Sequence, residues 1–223
     1  MQEFLPVLSK CILFDGISQE EMAGLLVCLG AKVQEHKKGS IIWAEGDPAL
    51  YIGIVLEGAV QIVKDDFYGN RSIVSHIGVA ELFGESFAAS GTDTLPVSIT
   101  AARDCRIMGI ECSHITVGCS NACGFHSQMI HNLLRVVANK NIQYNQKLEI
   151  TAQRTTREKL LSYLSAESIK QGKLSFDIPY DRQQLADYLS VERAAMSAEL
   201  SKLKKEGILD TQKNHFVLRG IPE

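Results

Sequence analysis

"DRQQLADYLSVERAAMSAELSKLKKEGIL", Asp181 to Leu209, fits two short helices and a tight turn into 29 residues. Asp181 is a good N-cap, and Gln184 three residues later completes a capping box. Leu185, Ala186 and Leu189 then share one face, which gives a first helix of roughly two turns. Ser190 interrupts and offers a cap for a second helix, whose apolar positions Met196, Leu200 and Leu203 follow at i, i+4 and i+7. Lys202, Lys204 and Lys205 suit the negative end of that helix, and Gly207 supplies its C′ residue. Ala186 is small where the two helices cross. This pattern predicts a helix-turn-helix, with Glu192, Arg193, Ala194, Ser197 and Ala198 facing a DNA major groove. The bland alternative is a helical hairpin inside a larger core.

The rest of the chain reads differently. Its 223 residues suffice for one large or two ordinary domains. Apolar residues make up 45% and charged residues 22%, the balance of a soluble globular protein. No apolar run reaches the roughly 18 residues of a membrane span, and "MQEFLPVLSK" lacks the basic and apolar regions of a leader. A cytoplasmic location is therefore expected. The six cysteines (Cys11, Cys28, Cys105, Cys112, Cys119, Cys123) are scattered, so reduced thiols are expected. From Thr151 onward there are 12 Lys+Arg against 10 Asp+Glu, whereas the remainder has 11 against 16. A basic C-terminal part on an acidic N-terminal part suits a nucleic-acid module carried by another domain.

Residues 18–30, "SQEEMAGLLVCLG", open with a Ser18–Glu21 capping box and place Met22, Leu25, Leu26 and Leu29 on one helical face. From Ala31 to about Glu111 short β-branched runs alternate with glycines at 39, 46, 53, 58, 69, 78 and 84. That texture predicts a β-sandwich or barrel rather than a parallel sheet. "DDFYGNRS" reads as a hairpin turn with Gly69 and Asn70 at its tip. After Ser120, Ile130, Leu134, Val137, Asn141, Tyr144 and Leu148 recur at spacings of 4, 3, 4, 3 and 4. This is a coiled-coil seam, with Asn141 as a register-setting polar position, and it predicts a homodimer. The alternative is a helix packed on its own β-domain, and one helix can do both. "TAQRTTREK" breaks the seam as a hinge. "REKLLSYLSAES" is a further helix, "KLSFDIPY" a strand, and "ILDTQKNHFVL" a C-terminal hairpin.

A β-roll, a long helix, a hinge and a winged helix-turn-helix, in this order, resemble the Crp/Fnr family of bacterial transcription regulators. The marks are "KKGSIIWAEGDPALYIGIVLEGAVQIV" (Lys37 to Val63), "LFGES" (Leu82 to Ser86) and the C-terminal block. The resemblance implies an α+β chain. Residues 1–150 would form a cupin-like, cyclic-nucleotide-binding-like β-roll with a dimerisation helix over about 121–150. Residues 151–223 would form the DNA-binding domain. It also implies an effector pocket around Gly84, Glu85, Ser86, Leu95, Pro96 and Val97.

Cyclic-nucleotide binders of the superfamily hold the phosphate with an Arg-Ser pair shortly after a Gly-Glu, whose carboxylate takes the ribose hydroxyl. Here Gly84 and Glu85 are present, but Leu95, Pro96 and Val97 stand where the anion-binding residues would fall. A phosphate buried beside Leu and Pro would lack a partner, which argues against cyclic AMP. A single N-terminal cysteine, Cys11, argues against the iron-sulfur cluster of the oxygen-sensing branch. Haem stays open, with His76, His114 or His131 as ligands that no spacing singles out. Cys119, Cys123 and His126 could hold a metal or a redox pair, although plain packing is the commoner role of such residues. A small organic or anionic effector between roll and long helix is the default expectation.

On DNA, Arg193 could read guanine O6 and N7 bidentately, while Ser197 and Glu192 could each add a contact. Arg182, Gln183 and Lys213 are placed for phosphates. The family's Arg-Glu-x-x-x-Arg reading set survives only as Arg193, because Ala194 and Ala198 fill the other positions. The function expected is an effector-responsive, homodimeric regulator of a near-palindromic operator, with RNA polymerase left open as a partner. Its rivals are a cyclic-nucleotide-binding signalling module, which Leu95 and Pro96 disfavour, and a cupin-type enzyme. The latter would need a His/Glu metal cluster, and Ala31 to Glu111 offers only His36 and His76, far apart in sequence.

Overall fold

The computed structural model describes residues 2–117 and 125–219. The elements run α1 (Leu5–Leu8), α2 (Gln19–Cys28), β1 (Lys32–His36), β2 (Ile41–Trp43), β3 (Tyr51–Glu57), β4 (Val60–Asp65), β5 (Arg71–Ile77) and β6 (Leu82–Phe83). They continue with α3 (Glu85–Ser90), β7 (Ser98–Ala101), β8 (Cys105–Glu111), α4 (Ser113–Thr116), α5 (Phe125–Thr151) and α6 (Thr156–Gln171). The last five are β9 (Ser175–Asp177), α7 (Arg182–Leu189), α8 (Arg193–Lys205), β10 (Leu209–Gln212) and β11 (His215–Leu218). The chain divides into two compact units, Met1–Gly69 with Val74–Ile142, and Asn70–Ile73 with Gln143–Glu223.

The first unit holds two four-stranded antiparallel sheets, ordered β1-β8-β3-β6 and β2-β7-β4-β5. Alternation along β3 separates two cores. Val55 joins Val60, Ile62, Phe83, Val97, Ile99 and Ile107 between the sheets, with Trp43 and Phe87 against them. Ile52, Ile54 and Leu56 point the other way, where Met108, Ile110, the α2 residues Met22, Leu25 and Leu26, and Met129, Leu133 and Val136 of α5 cover them. The capping box of α2 forms as read, Ser18 Oγ accepting from Glu21 N while Glu21 accepts from Ser18 N. The β4–β5 turn differs from expectation. Its centre is Phe67–Tyr68, because Asp66 accepts from Gly69 N at 3.0 Å through its carbonyl and from Tyr68 N at 2.8 Å through its side chain. Gly69 then leaves the turn at φ 81°.

Helix α5 is anchored by a residue absent from the apolar pattern. Asn132 is fully buried, and its amide donates to Leu13 O at 3.1 Å and Asp15 O at 2.8 Å. Its own oxygen accepts from Gln128 and Arg135, both at 3.2 Å. All of its hydrogen-bonding capacity is thus matched.

In the second unit, β10-β11-β9 forms a small antiparallel sheet beside three helices. Helix α6 starts on a Thr155–Glu158 capping box after the polar hinge, and α7 on the expected Asp181–Gln184 box. The cap expected from Ser190 goes elsewhere. Ser190 ends α7 in the left-handed region (φ 52°), while Glu192 is the N-cap of α8 and accepts from Ala195 N at 2.9 Å. The longer carboxylate reaches the third amide because the turn spends Val191 before the helix begins.

Replacing Asn132 with Ala strands two carbonyls and should cost about 1–3 kcal/mol in urea unfolding of the whole chain. A change under about 0.5 kcal/mol would show the network adds nothing.

Candidate effector site and nucleic-acid interface

The sensor site begins at Gly84. Its φ of 79° and the approach of Trp43, whose ring carbon would lie 2.7 Å from an added Cβ, leave room for glycine alone. That turn puts Glu85 at the first position of α3, where it is 1% exposed. Lys140 reaches it from α5, with its Nζ 2.9 Å from Oε1 and 3.0 Å from Oε2. The same ammonium donates to Leu82 O at 2.6 Å, and Ser86 Oγ donates to Glu85 Oε1 at 3.1 Å. The carboxylate expected to meet an effector is therefore held by the chain's own lysine.

Leu95, Pro96 and Val97 form no anion cradle. Leu95 and Val97 are buried, the latter in the core between the sheets. The segment is pinned to the β2–β3 loop through Leu95 N to Asp47 O (2.8 Å) and Gly46 N to Leu95 O (2.9 Å). Pro96 is exposed, and its carbonyl accepts from Lys64 at 2.7 Å.

The other sensing candidates are dispersed. His76 lies on β5, His131 is exposed on α5, and His114 on α4 has its Nδ1 2.8 Å from Leu29 O. Cys119 and Cys123 fall outside the described residues, and their third partner, His126, sits 3.2 Å from His114 O. Cys11, Cys28, Cys105 and Cys112 are free thiols, and burial pushes the Cys11 thiol up to about 11, away from the reactive thiolate. Among the described residues no three His, Cys, Asp or Glu side chains group as a metal site.

In the second unit, Glu192, Arg193, Ala194, Ser197 and Ala198 are all exposed, whereas Met196, Leu200 and Leu203 are buried. The five residues therefore share the exposed face of α8. Glu192 has one carboxylate oxygen committed to its cap, so it has less to offer a base. Gln183 is exposed and donates to Asp187 at 2.8 Å. Arg182 turns inward, donating to Thr211 Oγ1 at 2.7 Å with its guanidinium 5.1 Å from the Phe216 ring. Burial lowers its pKa. Lys213 stands exposed at the β10–β11 tip with φ 54°, a position that suits glycine better than lysine.

Four features escaped the sequence reading: Lys140, Arg157, Lys147 and the His215 contacts. Arg157 of α6 bonds Glu199 (3.0 Å) and Glu206 (2.5 Å), at the middle and the C-cap of α8. Lys147 donates to Ile73 O and lies 4.3 Å above the Tyr188 ring, which stacks on Tyr180 at 4.8 Å. Burial pulls its pKa down to about 8. His215 Nδ1 lies 2.9 Å from Asp177 and its Nε2 3.1 Å from Ser175 Oγ, a cross-strand arrangement that follows from the His215–Asp177 register.

Two family descriptions match this chain, a cyclic nucleotide-binding domain over residues 33–116 and a Crp-like helix-turn-helix domain over residues 158–221. The chain belongs to the Crp/Fnr family. Members of the Crp/Fnr family are transcription regulators, not enzymes. The transcriptional activator protein FnrL of Cereibacter sphaeroides is 22% identical over 195 residues, which is 80% of this chain and 73% of FnrL. FixK2 of Bradyrhizobium japonicum shares the fold at a TM-score of 0.69 and 22% identity, covering 86% of this chain and 93% of FixK2. The c-di-GMP responsive global regulator CLP of Xanthomonas campestris does so at 0.74 and 18%, covering 89% and 99%. Among the described residues no helix is long and apolar enough to cross a membrane.

Lys147 yields a pH-dependent prediction. Its folded pKa, about 8, lies below the ordinary 10.5, so the charged form is penalised on folding. Below pH 8 the penalty is complete. Between pH 8 and 10.5 the unfolded chain holds the extra proton, and the penalty fades. Lys147→Met should therefore stabilise by about 1–2 kcal/mol at pH 7, allowing for partial solvent screening. Its advantage over the wild type should shrink by pH 10. A destabilised variant at pH 7 would mean that the Tyr188 and Ile73 contacts outweigh burial.

Proposed function

We propose that the chain is a homodimer that binds a near-palindromic operator through α8, with a small-molecule effector of the roll read out along α5. The observation that carries the DNA reading is the bare N-terminal half of α8. Arg193, Ala194, Ser197 and Ala198 are exposed there, while the opposite face is buried and braced by Arg157. Arg193 is the direct reader, with bidentate reach to a guanine. Ser197 assists, Glu192 has only part of its carboxylate free, and Gln183 and Lys213 approach phosphates. Arg182 would act as a support of the wing, since Thr211 and Phe216 occupy its guanidinium.

Dimerisation is supported by the second stripe of α5. Ile130, Leu134 and Leu148 are 44%, 66% and 64% exposed, on a helix that has already buried Met129, Leu133 and Val136. Large apolar side chains bare along one seam are costly in water unless a partner covers them. The domains are read as 1–150 for sensing and dimerisation and 151–223 for DNA, and the location as cytoplasmic. The names of FnrL and CLP support a transcription role, with RNA polymerase as a partner if this chain activates as FnrL does. Cyclic AMP is not the effector, because Leu95 and Pro96 offer its phosphate no cation.

Three measurements test this reading. Cyclic AMP should bind more weakly than about 1 mM in calorimetry; micromolar binding would contradict the pocket assignment. Leu134→Glu with Val137→Glu should give monomers or unfolded protein in ultracentrifugation, and an unchanged dimer would place the interface elsewhere. Arg193→Ala should cost about 1–3 kcal/mol on an operator selected from random duplexes and relax one base pair per half-site. Lys213→Gly, which removes the charge and suits the turn, should instead weaken operator and scrambled DNA alike and lower the salt slope by about one. Equal losses on both DNAs with Arg193→Ala would reduce Arg193 to a phosphate contact.

A further inference from the structure

Lys140 Nζ donates to Glu85 Oε2 and to Leu82 O, and lies 2.9 Å from Glu85 Oε1. Neither charge is left seeking a ligand. The lysine side chain is 12% exposed and the glutamate 2%, so each would be stranded in the interior without the other. Beside the pair, Trp43 lies against Gly84 and 4.9 Å from Phe83, and Phe87 packs on the core that holds Phe83 and Val97, while the Ser86 hydroxyl donates to Glu85 Oε1. An arriving molecule would meet a carboxylate already neutralised by α5.

We propose that Lys140 is the roll's built-in ligand, a positioning residue that ties Glu85 to α5 so that the chain without any small molecule is already in its operator-binding form. An effector that takes Glu85 must then present a cation or hydrogen-bond donors of its own, and it works by displacing Lys140. It lowers operator affinity rather than raising it, because it favours the form in which α5 is untied. This rests on the DNA-binding reading above and adds the sign and chemistry of its regulation.

The test begins with an operator selected from random duplexes in the presence of small molecules extracted from cells, so that selection succeeds whether or not an effector is needed. Failure to select any DNA would sink the DNA-binding reading itself. The chain is then unfolded in guanidinium, desalted and refolded, and native mass spectrometry confirms that the dimer carries nothing else. This bare protein should prefer the operator to scrambled DNA at least tenfold. Preference that returns only when the extract is added overturns the proposal.

Lys140→Met keeps the length of the side chain, and Glu85→Gln keeps its shape. Each should weaken operator binding at least tenfold, leave scrambled DNA unaffected and preserve the dimer. In the double variant the two losses should not add, as expected of residues that act through one contact. Unchanged operator affinity in a folded Lys140→Met protein would also overturn the proposal. Should that variant not fold, Glu85→Gln and the refolded wild type decide it.

Discussion

Helix α5 buries Met129, Leu133 and Val136 against Ile52, Ile54, Leu56 and Met108 and leaves Ile130, Leu134 and Leu148 bare on the next stripe. This two-sided demand governs the molecule. A surface helix ordinarily hides one stripe and wets the other. Here both stripes are apolar, offset by one residue, so the helix is satisfied on one side by its own sheet while its other apolar stripe stays exposed. Asn132 sets how the helix sits against the N-terminal Leu13–Asp15 segment, since its amide must align with both Leu13 O and Asp15 O. A helix free to slide could carry no signal. One locked by a buried, fully paired amide can.

The buried stripe does not stay apolar. Continuing the 4-3-4 spacing from Met129, Leu133 and Val136 brings Lys140, and one further heptad brings Lys147. Both cations are drawn inward and matched, Lys140 to Glu85 and Leu82, Lys147 to Ile73 and Tyr188. A buried ion pair adds little net stability, because desolvation offsets most of the attraction. What it adds is discrimination, since breaking it by half leaves a charge in the interior. Such pairs suit positions where two arrangements must differ sharply in free energy.

The parts of the fold written in local chemistry were readable. The capping boxes at Ser18 and Asp181 rest on two residues three apart, and the glycine-punctuated strands on short-range alternation, so sequence order sufficed. The misreadings came where two local candidates competed. Ser190 and Glu192 could both begin α8, and the left-handed exit from α7 claimed Ser190 first. Asp66 moved the hairpin tip to Phe67 and Tyr68, although Gly69 advertised itself. The Glu85–Lys140 contact spans 55 residues. Its one sequence signal was a lysine on the buried stripe of α5, hidden because the neighbouring stripe carries the tidier repeat. Arg182 is the reverse case: its position suggested phosphate, but Phe216 and Thr211 lay within reach from the wing.

The recognition helix shows where stability yields to function. Arg193 is the first residue of α8, where the positive end of the helix dipole disfavours a cation by a few tenths of a kcal/mol or more. The lysines at its other end, Lys202, Lys204 and Lys205, obey the dipole rule. Glu192 only partly offsets the misplaced charge, because its carboxylate is turned to cap Ala195. Behind the helix, Arg157 holds both Glu199 and Glu206, which keeps these two carboxylates turned away from Arg193. A first-turn arginine kept bare and only partly compensated is unfavourable for the isolated domain. On the function proposed above, an anionic duplex would supply the missing counter-charge and a guanine edge two acceptors.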